Sequence, residues 1–401
     1  MTATWQTRNL GDLCHLIGGG TPSKGKAAFY SGDIPWATVR DMRSDVIAET
    51  QFKITSAAVA SSATNIVPAG NVVIATRVGL GKVCLLGQDT AINQDLRGIV
   101  PISSATLSVR FLFWWLKSVA DTIVAEGTGA TVQGVKLPFV RTLQIPLPPL
   151  SEQQRIISVL DEAFAAIATA CANTEQNLRN AREVLESQLN GLLAQHDEGW
   201  TEKPLAELCD IKHGFAFDGA FFSTKGEFVL LTPGNFYETG GYRDRGERQK
   251  YYTGDIPLGY VLKEGDLLVA MTEQAAGLLG SPVLVPESDK FLHNQRLGLV
   301  TGRPGIPWTN EFFFHVFNTH TVRKEIHDGA SGVKVRHTSP RKIGEVVVRF
   351  PASLSEQRAV AATLTSLRDE TARLASIYER RLAALDALKQ SLLHQAFTGA
   401  L

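Results

Sequence analysis

The segment Gly20-Thr21-Pro22-Ser23-Lys24-Gly25-Lys26-Ala27 comes within one position of the phosphate-binding loop G-x-x-x-x-G-K-[ST], in which backbone amides cradle phosphates and a final hydroxyl holds magnesium. Ala27 has no hydroxyl, and Gly32 and Pro35 interrupt the helix whose N-terminus should carry the phosphates, so no nucleotide site is expected here. The chain has no H-E-x-x-H pair, no G-x-S-x-G turn, no carboxylate pair at metal-ligand spacing and no Asn/Asp-Pro-Pro-aromatic motif of amino-methyltransferases. Its cysteines, Cys14, Cys84, Cys171 and Cys209, stand far apart, with neither a C-x-x-C pair nor a histidine at zinc spacing, and read as buried thiols. Neither catalytic residues nor metal ligands are therefore expected.

The side chains left over are suited to recognition. Lys334, Arg336, Arg341 and Lys342 gather around a Gly- and Ser-containing loop, and the corresponding earlier loop, residues 127–136, supplies Gln133 and Lys136. Small residues let backbone approach a phosphate, while Gln, Arg and Lys can address base edges. A solvated loop is the competing reading. Lys+Arg and Asp+Glu balance at 40 each, so any nucleic-acid role rests on local charge and on partners that neutralise phosphates. By segment the net charge is +4 for 1–150, −3 for 151–196, −2 for 197–350 and +1 for 351–401. With 44% hydrophobic and 20% charged residues, the composition excludes disordered and histone-like classes, and 401 residues suffice for two or three domains. The N-terminal residues lack a signal-peptide pattern and no apolar run approaches membrane-spanning length, which points to a cytoplasmic protein without a membrane partner.

The elements that must position these residues are repeated. Trp5, Leu10, Leu13, Cys14 and Gly19 recur as Trp200, Leu205, Leu208, Cys209 and Gly214, each displaced by 195 residues. The same interval carries Gly70-Asn71-Val72-Val73-Ile74-Ala75 onto Gly265-Asp266-Leu267-Leu268-Val269-Ala270, a turn feeding a buried strand. With small insertions, Asn93-Gln94 answers to Asn294-Gln295, and Phe111-Leu112-Phe113 to Phe312-Phe313-Phe314. Short apolar strands such as 72–76, 83–86 and 267–271 among Gly, Pro and Asn turns indicate β-rich α/β (α+β) globules, and the aromatic stretches near 111–120 and 311–326 read as helices. Trp5, Trp114, Trp115 and Trp200 read as core.

Each copy ends in a proline followed by Leu150-Ser151-Glu152-Gln153-Gln154 or Leu354-Ser355-Glu356-Gln357-Arg358. Ser151 and Ser355 suit helix N-caps, and Gln154 completes a capping box that Arg358 lacks. Two long helices should follow. Ile156, Leu160, Ile167, Leu178, Leu185, Gln188 and Leu192 form an apolar seam in the first, with a stutter near 174. Val360, Leu364, Leu367, Leu374, Leu385, Leu388 and Leu392 form its counterpart, with a stutter near 378. The order is globule (1–150), helix (151–196), globule (197–350) and helix (351–401); a pseudo-two-fold repeat would pair the helices as an antiparallel coiled coil. A helix of 46 residues reaches about 69 Å, more than one ~34 Å turn of duplex. Two unlike globules on a rigid spacer suit two DNA half-sites at fixed separation.

Gly19-Gly20-Thr21-Pro22-Ser23, Tyr30-Ser31-Gly32-Asp33-Ile34-Pro35-Trp36, Ala75-Thr76-Arg77-Val78-Gly79, Asn93-Gln94, the two Ser-Glu-Gln junctions and the closing segment 388–399 together resemble the specificity subunit of a Type I restriction-modification system. The second globule departs from that pattern, with Gly214-Phe215-Ala216-Phe217 and Pro233-Gly234-Asn235 in place of the first boxes. The resemblance implies a non-catalytic subunit with two target recognition domains, each reading one half of a bipartite asymmetric sequence in double-stranded DNA, and a helical spacer that sets the gap. It implies two modification subunits that bring S-adenosylmethionine and methylate adenine, restriction subunits that bring ATP and magnesium, and no cofactor on this chain. It also nominates Arg77, Lys82, Asn93, Gln94, Gln133 and Lys136 in the first globule, and Gln274, Asn294, Gln295, Lys334, Arg336 and His337 in the second, as DNA-facing. Asn93, Gln94, Asn294 and Gln295 equally suit turn capping. A scaffold joining two proteins without touching DNA is the alternative.

Overall fold

The computed structural model describes residues 5–128, 134–194, 199–273 and 277–401. It divides into two compact units, Met1–Glu175 with Glu379–Leu401, and Gln176–Tyr378, so the division falls within both long helices rather than at their ends.

In the first unit a five-stranded sheet runs in the order Cys14–Gly18, Leu96–Pro101, Val72–Ala75, Val83–Leu86, Val46–Ile47. Strands Val72–Ala75 and Val83–Leu86 are buried on both faces. Side chains alternate across a strand, so Val72, Ile74, Val83 and Leu85 face one way and pack with Phe111, Trp114 and Trp115 of helix Val109–Ser118. Val73, Ala75, Cys84 and Leu86 face the other way and pack with Ala37 and Ile92 of a second sheet, ordered Phe52–Ile54, Ile34–Ala37, Thr90–Ile92, Asn65–Val67.

The second unit repeats the first four strands of that sheet as Cys209–His213, Leu297–Gly302, Leu267–Ala270, Pro282–Leu284, without a counterpart to the edge strand Val46–Ile47 among its described residues. Its second sheet is Phe222–Ser223, Tyr251–Tyr252, Phe228–Leu231, Phe291–His293, and helices Asn310–Phe317 and His320–Asp328 follow. Trp114 and Trp115 are buried in the first unit, and Trp5 and Trp200 are half-buried against their cores.

The long helices are Leu150–Ala194 and Leu354–Thr398. They start earlier than the serine caps anticipate: Ser151 and Ser355 lie inside the first turn, and Ser353 caps the second helix by accepting from the Glu356 amide (3.4 Å). The expected capping box at Gln154 does not form, because the anchor is its neighbour. The Gln153 amide is fully buried; it accepts from the Ser108 amide (2.9 Å) and donates to the carbonyls of Thr106 and Pro148 (2.9 Å each). Gln357 does the same in its own unit, accepting from the Thr309 hydroxyl (3.1 Å) and donating to Pro307 (2.9 Å) and Pro351 (3.0 Å).

Within the first unit Ile156 and Leu160 share a core with Leu393 and Ala396, and Arg155 donates to the Leu401 carbonyl (2.8 Å). The start of one helix thus lies beside the end of the other, an antiparallel arrangement. In the second unit Leu193 likewise packs into the cluster that holds Val360 and Ala361. Ile156, Leu160, Ile167 and Leu364 are buried, and Leu178, Leu185, Leu192, Val360, Leu367, Leu374, Leu385 and Leu392 are half-buried. Gln188 and Leu388 are exposed, and Leu189 and Leu393 are buried instead, since a 3.6-residue helix drifts off a strict heptad. The first long helix is also, over part of its length, apolar enough to cross a membrane by composition alone, which corrects the expectation that no stretch approaches this. Its Asp161 is nevertheless engaged within the unit, by Arg110 (2.5 Å) and by the Trp114 indole N–H (2.8 Å).

Candidate nucleic-acid interface

In the first unit four segments meet where strand Val72–Ala75 ends. The Thr76 amide donates to the Asp95 carbonyl (2.8 Å), and the Val135 amide donates to the Thr76 carbonyl (2.9 Å). Thr128 and Gly134 exchange amide-to-carbonyl bonds (3.1 and 3.0 Å), and the Gly20 amide donates to the Ile92 carbonyl (3.0 Å). Gly19 is required by the close approach, because a Cβ there would stand 2.0 Å from the Asn93 carbonyl oxygen; Gly214 meets Asn294 in the same way at 2.1 Å.

The second unit repeats these ties. The Met271 amide donates to the Arg296 carbonyl (2.9 Å), the Thr338 amide to the Met271 carbonyl (3.0 Å), and Ser331 and His337 exchange bonds (2.9 and 2.8 Å). A left-handed Gly332 (φ +99°) turns that hairpin and leaves Val333 fully exposed.

The nominated side chains separate into those that face outward and those engaged within the fold. Asn93 is buried, donates to the Asp95 carboxylate (3.0 Å) and accepts from the Asp95 amide (3.1 Å); Asn294 is buried and accepts from the Arg296 amide (3.0 Å). Both asparagines cap their turns. Gln94 and Gln295, next to them, are exposed. Arg77 is exposed and pairs with Asp95 at 3.6 Å, beside Arg97, whose pKa is lowered first by burial and then by Arg77. Lys136 is exposed at the start of helix Leu137–Thr142. Lys82 is drawn elsewhere: its ammonium donates to the Met42 carbonyl (3.3 Å) in a separate cleft with Arg43, Asp45 and Lys117. Lys334 and His337 are exposed on the hairpin, and the His337 ring meets the Thr272 hydroxyl at 3.2 Å. Arg336 turns inward, donating to the His327 ring (2.8 Å) and the His327 carbonyl (2.6 Å). Gln133 and Gln274 lie outside the described residues.

Beside Gln94 the first unit opens a cleft of about 560 Å³ that sequence reasoning missed. Lys24, Arg40, Trp36 and the exposed Phe52 line it, and the Thr21 hydroxyl donates to the Gln94 side-chain oxygen. Thr21 and Lys24 belong to the segment that mimics a phosphate loop; Arg40 and Phe52 carry no sequence signal. In the second unit the segment after strand Cys209–His213 instead contributes Phe215 and Phe217, which meet edge-on (5.2 Å); Phe217 also meets Tyr252 edge-on (4.7 Å), and Phe215 lies tilted against Tyr260 (5.4 Å). The two surfaces are thus built on one frame with different side chains. The thiols take no part: burial pushes Cys14 and Cys209 up to about 12 and Cys84 up to about 11, far from the reactive thiolate form.

Residues 2–177 match the model of the Type I restriction modification DNA specificity domain. Over those residues the chain carries a Type I restriction modification DNA specificity domain. It is 33% identical over 165 residues to the specificity subunit of the type I restriction enzyme EcoR124I/EcoR124II of Escherichia coli, a match that takes in 39% of this chain and 40% of that protein. It is 21% identical over 412 residues to the MjaVIII specificity subunit of Methanocaldococcus jannaschii, covering 98% of this chain and 92% of that one. Across the first curated relatives it matches, the chain spans about half of their length or less. Among solved structures, one from work on complex assembly and conformational transition of the type I R-M system superposes over 100% of both chains with a TM-score of 0.79 at 18% identity, a likeness of fold. That likeness of fold takes in both units and both long helices, since it covers the whole chain.

Proposed function

We propose that this chain is the DNA-reading subunit of a Type I restriction-modification complex, with each unit addressing one half of a bipartite asymmetric target. The observation that carries this is the repeated frame at the strand ends, which presents Arg77, Gln94 and Lys136 in one unit and Gln295, Lys334 and His337 in the other. Arg, Lys and Gln in such loops suit phosphate and base-edge contacts, and unlike sets on like frames suit unlike half-sites. The long helices set the separation of the half-sites and dock two modification subunits. Those subunits bring S-adenosylmethionine and methylate adenine; restriction subunits bring ATP and magnesium, and this cytoplasmic chain aims the chemistry without performing it. A modest overall charge fits that division, because partners then supply much of the phosphate neutralisation.

The test is a genome-wide map of methylated adenine in cells with and without this chain. The expected result is one bipartite motif that disappears with the chain. An unchanged map, with the chain still joining its partner proteins, would favour a scaffold that does not read DNA.

A further inference from the structure

Helix His320–Asp328 carries Arg323 and His327 four residues apart, hence on one helical face. Their side chains engage two different loops of the second unit. Arg323 donates to the Leu279 carbonyl (3.0 Å) and to the Gly277 carbonyl. Glu273 takes the amides of the same short segment: one carboxylate oxygen accepts from Gly277 (3.1 Å), Leu278 (3.1 Å) and Leu279 (3.0 Å). The segment is therefore held through its amides by a buried carboxylate and through its carbonyls by a half-buried guanidinium. The other Glu273 oxygen faces the His327 ring at 3.7 Å, and that ring accepts from Arg336. A guanidinium only donates, so His327 Nε2 presents its lone pair to Arg336. Arg336 stands opposite Glu273 in the strand pair Thr272–Glu273 with Arg336–His337, at the root of the hairpin that exposes Lys334.

We propose that Glu273, Arg323, His327 and Arg336 form a polar clasp of positioning residues that locks residues 271–273 and 277–280 to the hairpin 331–337, so that the second unit presents both segments to its half-target as one piece. The proposal rests on the reading of these loops as DNA-facing. A buried carboxylate with three amide donors loses heavily when one partner is removed, and the half-buried guanidinium holds the carbonyls of the same segment, which makes the linkage stiff. Glu273, Arg323, His327 and Arg336 all lie within the second unit. Clasp variants should therefore act on one half-target only.

The experiment compares Glu273→Gln, Arg336→Ala and the milder Arg336→Lys in the full chain. Amide hydrogen exchange is followed in the chain, and discrimination between cognate and single-base-altered DNA, at each half-target, is followed in the complex with its methyltransferase subunits. Arg336→Ala should speed exchange of the amides of Leu278, Leu279 and His337 at least tenfold. It should also cut discrimination about tenfold at the second half-target while leaving the first unchanged, and Arg336→Lys, which keeps a donor to His327, should restore part of both. Exchange that speeds on one segment alone overturns the clasp, as does equal loss at both half-targets or none at either. The unsubstituted complex serves as a separate check: if it discriminates at neither half-target, the DNA reading fails and the exchange result judges the clasp by itself.

Discussion

Replacing Gln357 by Ala should destabilise the second unit by about 3 kcal/mol. The buried amide makes three hydrogen bonds, to the Thr309 hydroxyl and to the Pro307 and Pro351 carbonyls, at 3.1, 2.9 and 3.0 Å. Each such bond contributes about 1 kcal/mol, and truncation also leaves its buried partners unpaired, so ~3 kcal/mol is the lower side of the expectation. No water-filled surface offers compensation, because the glutamine is fully buried. Chemical denaturation of Gln357→Ala, with near-ultraviolet circular dichroism following the aromatic core around Phe312 and Phe313, measures the loss directly. Gln153→Ala should cost a similar amount in the first unit, where the partners are the Ser108 amide and two carbonyls. A change below about 1 kcal/mol in both variants would refute the view that this repeated glutamine fastens each helix to its globule.

Acid should weaken the second unit selectively. Burial pushes His293 and His315 down to about 4 from the ordinary 6.5, so between those values the unfolded chain binds protons that the folded one does not. Stability then falls as pH drops from about 6.5 and levels off near 4, by at most about 3 kcal/mol per histidine; pH-independent melting of residues 176–378 between those limits would contradict it. Lys334→Ala should lower the salt slope of DNA binding by the assembled complex by about one while leaving sequence preference intact, and unchanged titrations would remove Lys334 from the interface. Arg77→Ala should weaken binding and relax preference in the first half-target only, read by methylation of substituted duplexes. Removing one heptad from each long helix should shorten the gap between half-targets by about three base pairs, since seven residues rise ~10 Å, and an unaltered gap would end the role of the helices as a ruler.

Much of the architecture was legible because it is written twice. The interval of 195 residues that aligns Cys14 with Cys209 and Val72 with Leu267 corresponds to the same strand positions in two like sheets. The apolar runs at 72–75 and 83–86 are buried strands because each face meets a different core. Helix starts were less legible, since they depend on Gln153 and Gln357 finding partners more than forty residues away in sequence. Local capping rules could not register that. The same holds at the interface. Asn93 and Asn294 cap turns, as their residue type allows, whereas Arg336 looks like a free cation in the sequence and is tied to His327 in the fold. Glu273 was invisible because its partners are backbone amides, and Arg40 and Phe52 reach the Gln94 cleft only through the folding of the second sheet.

The most direct test of the central claim is to exchange residues 1–150 for the corresponding part of another family member and to map methylated adenine in cells that supply the modification subunits. Two independent reading units predict a new sequence in one half of the motif, with the other half and the gap retained. A motif altered in both halves, or in neither, would contradict that account.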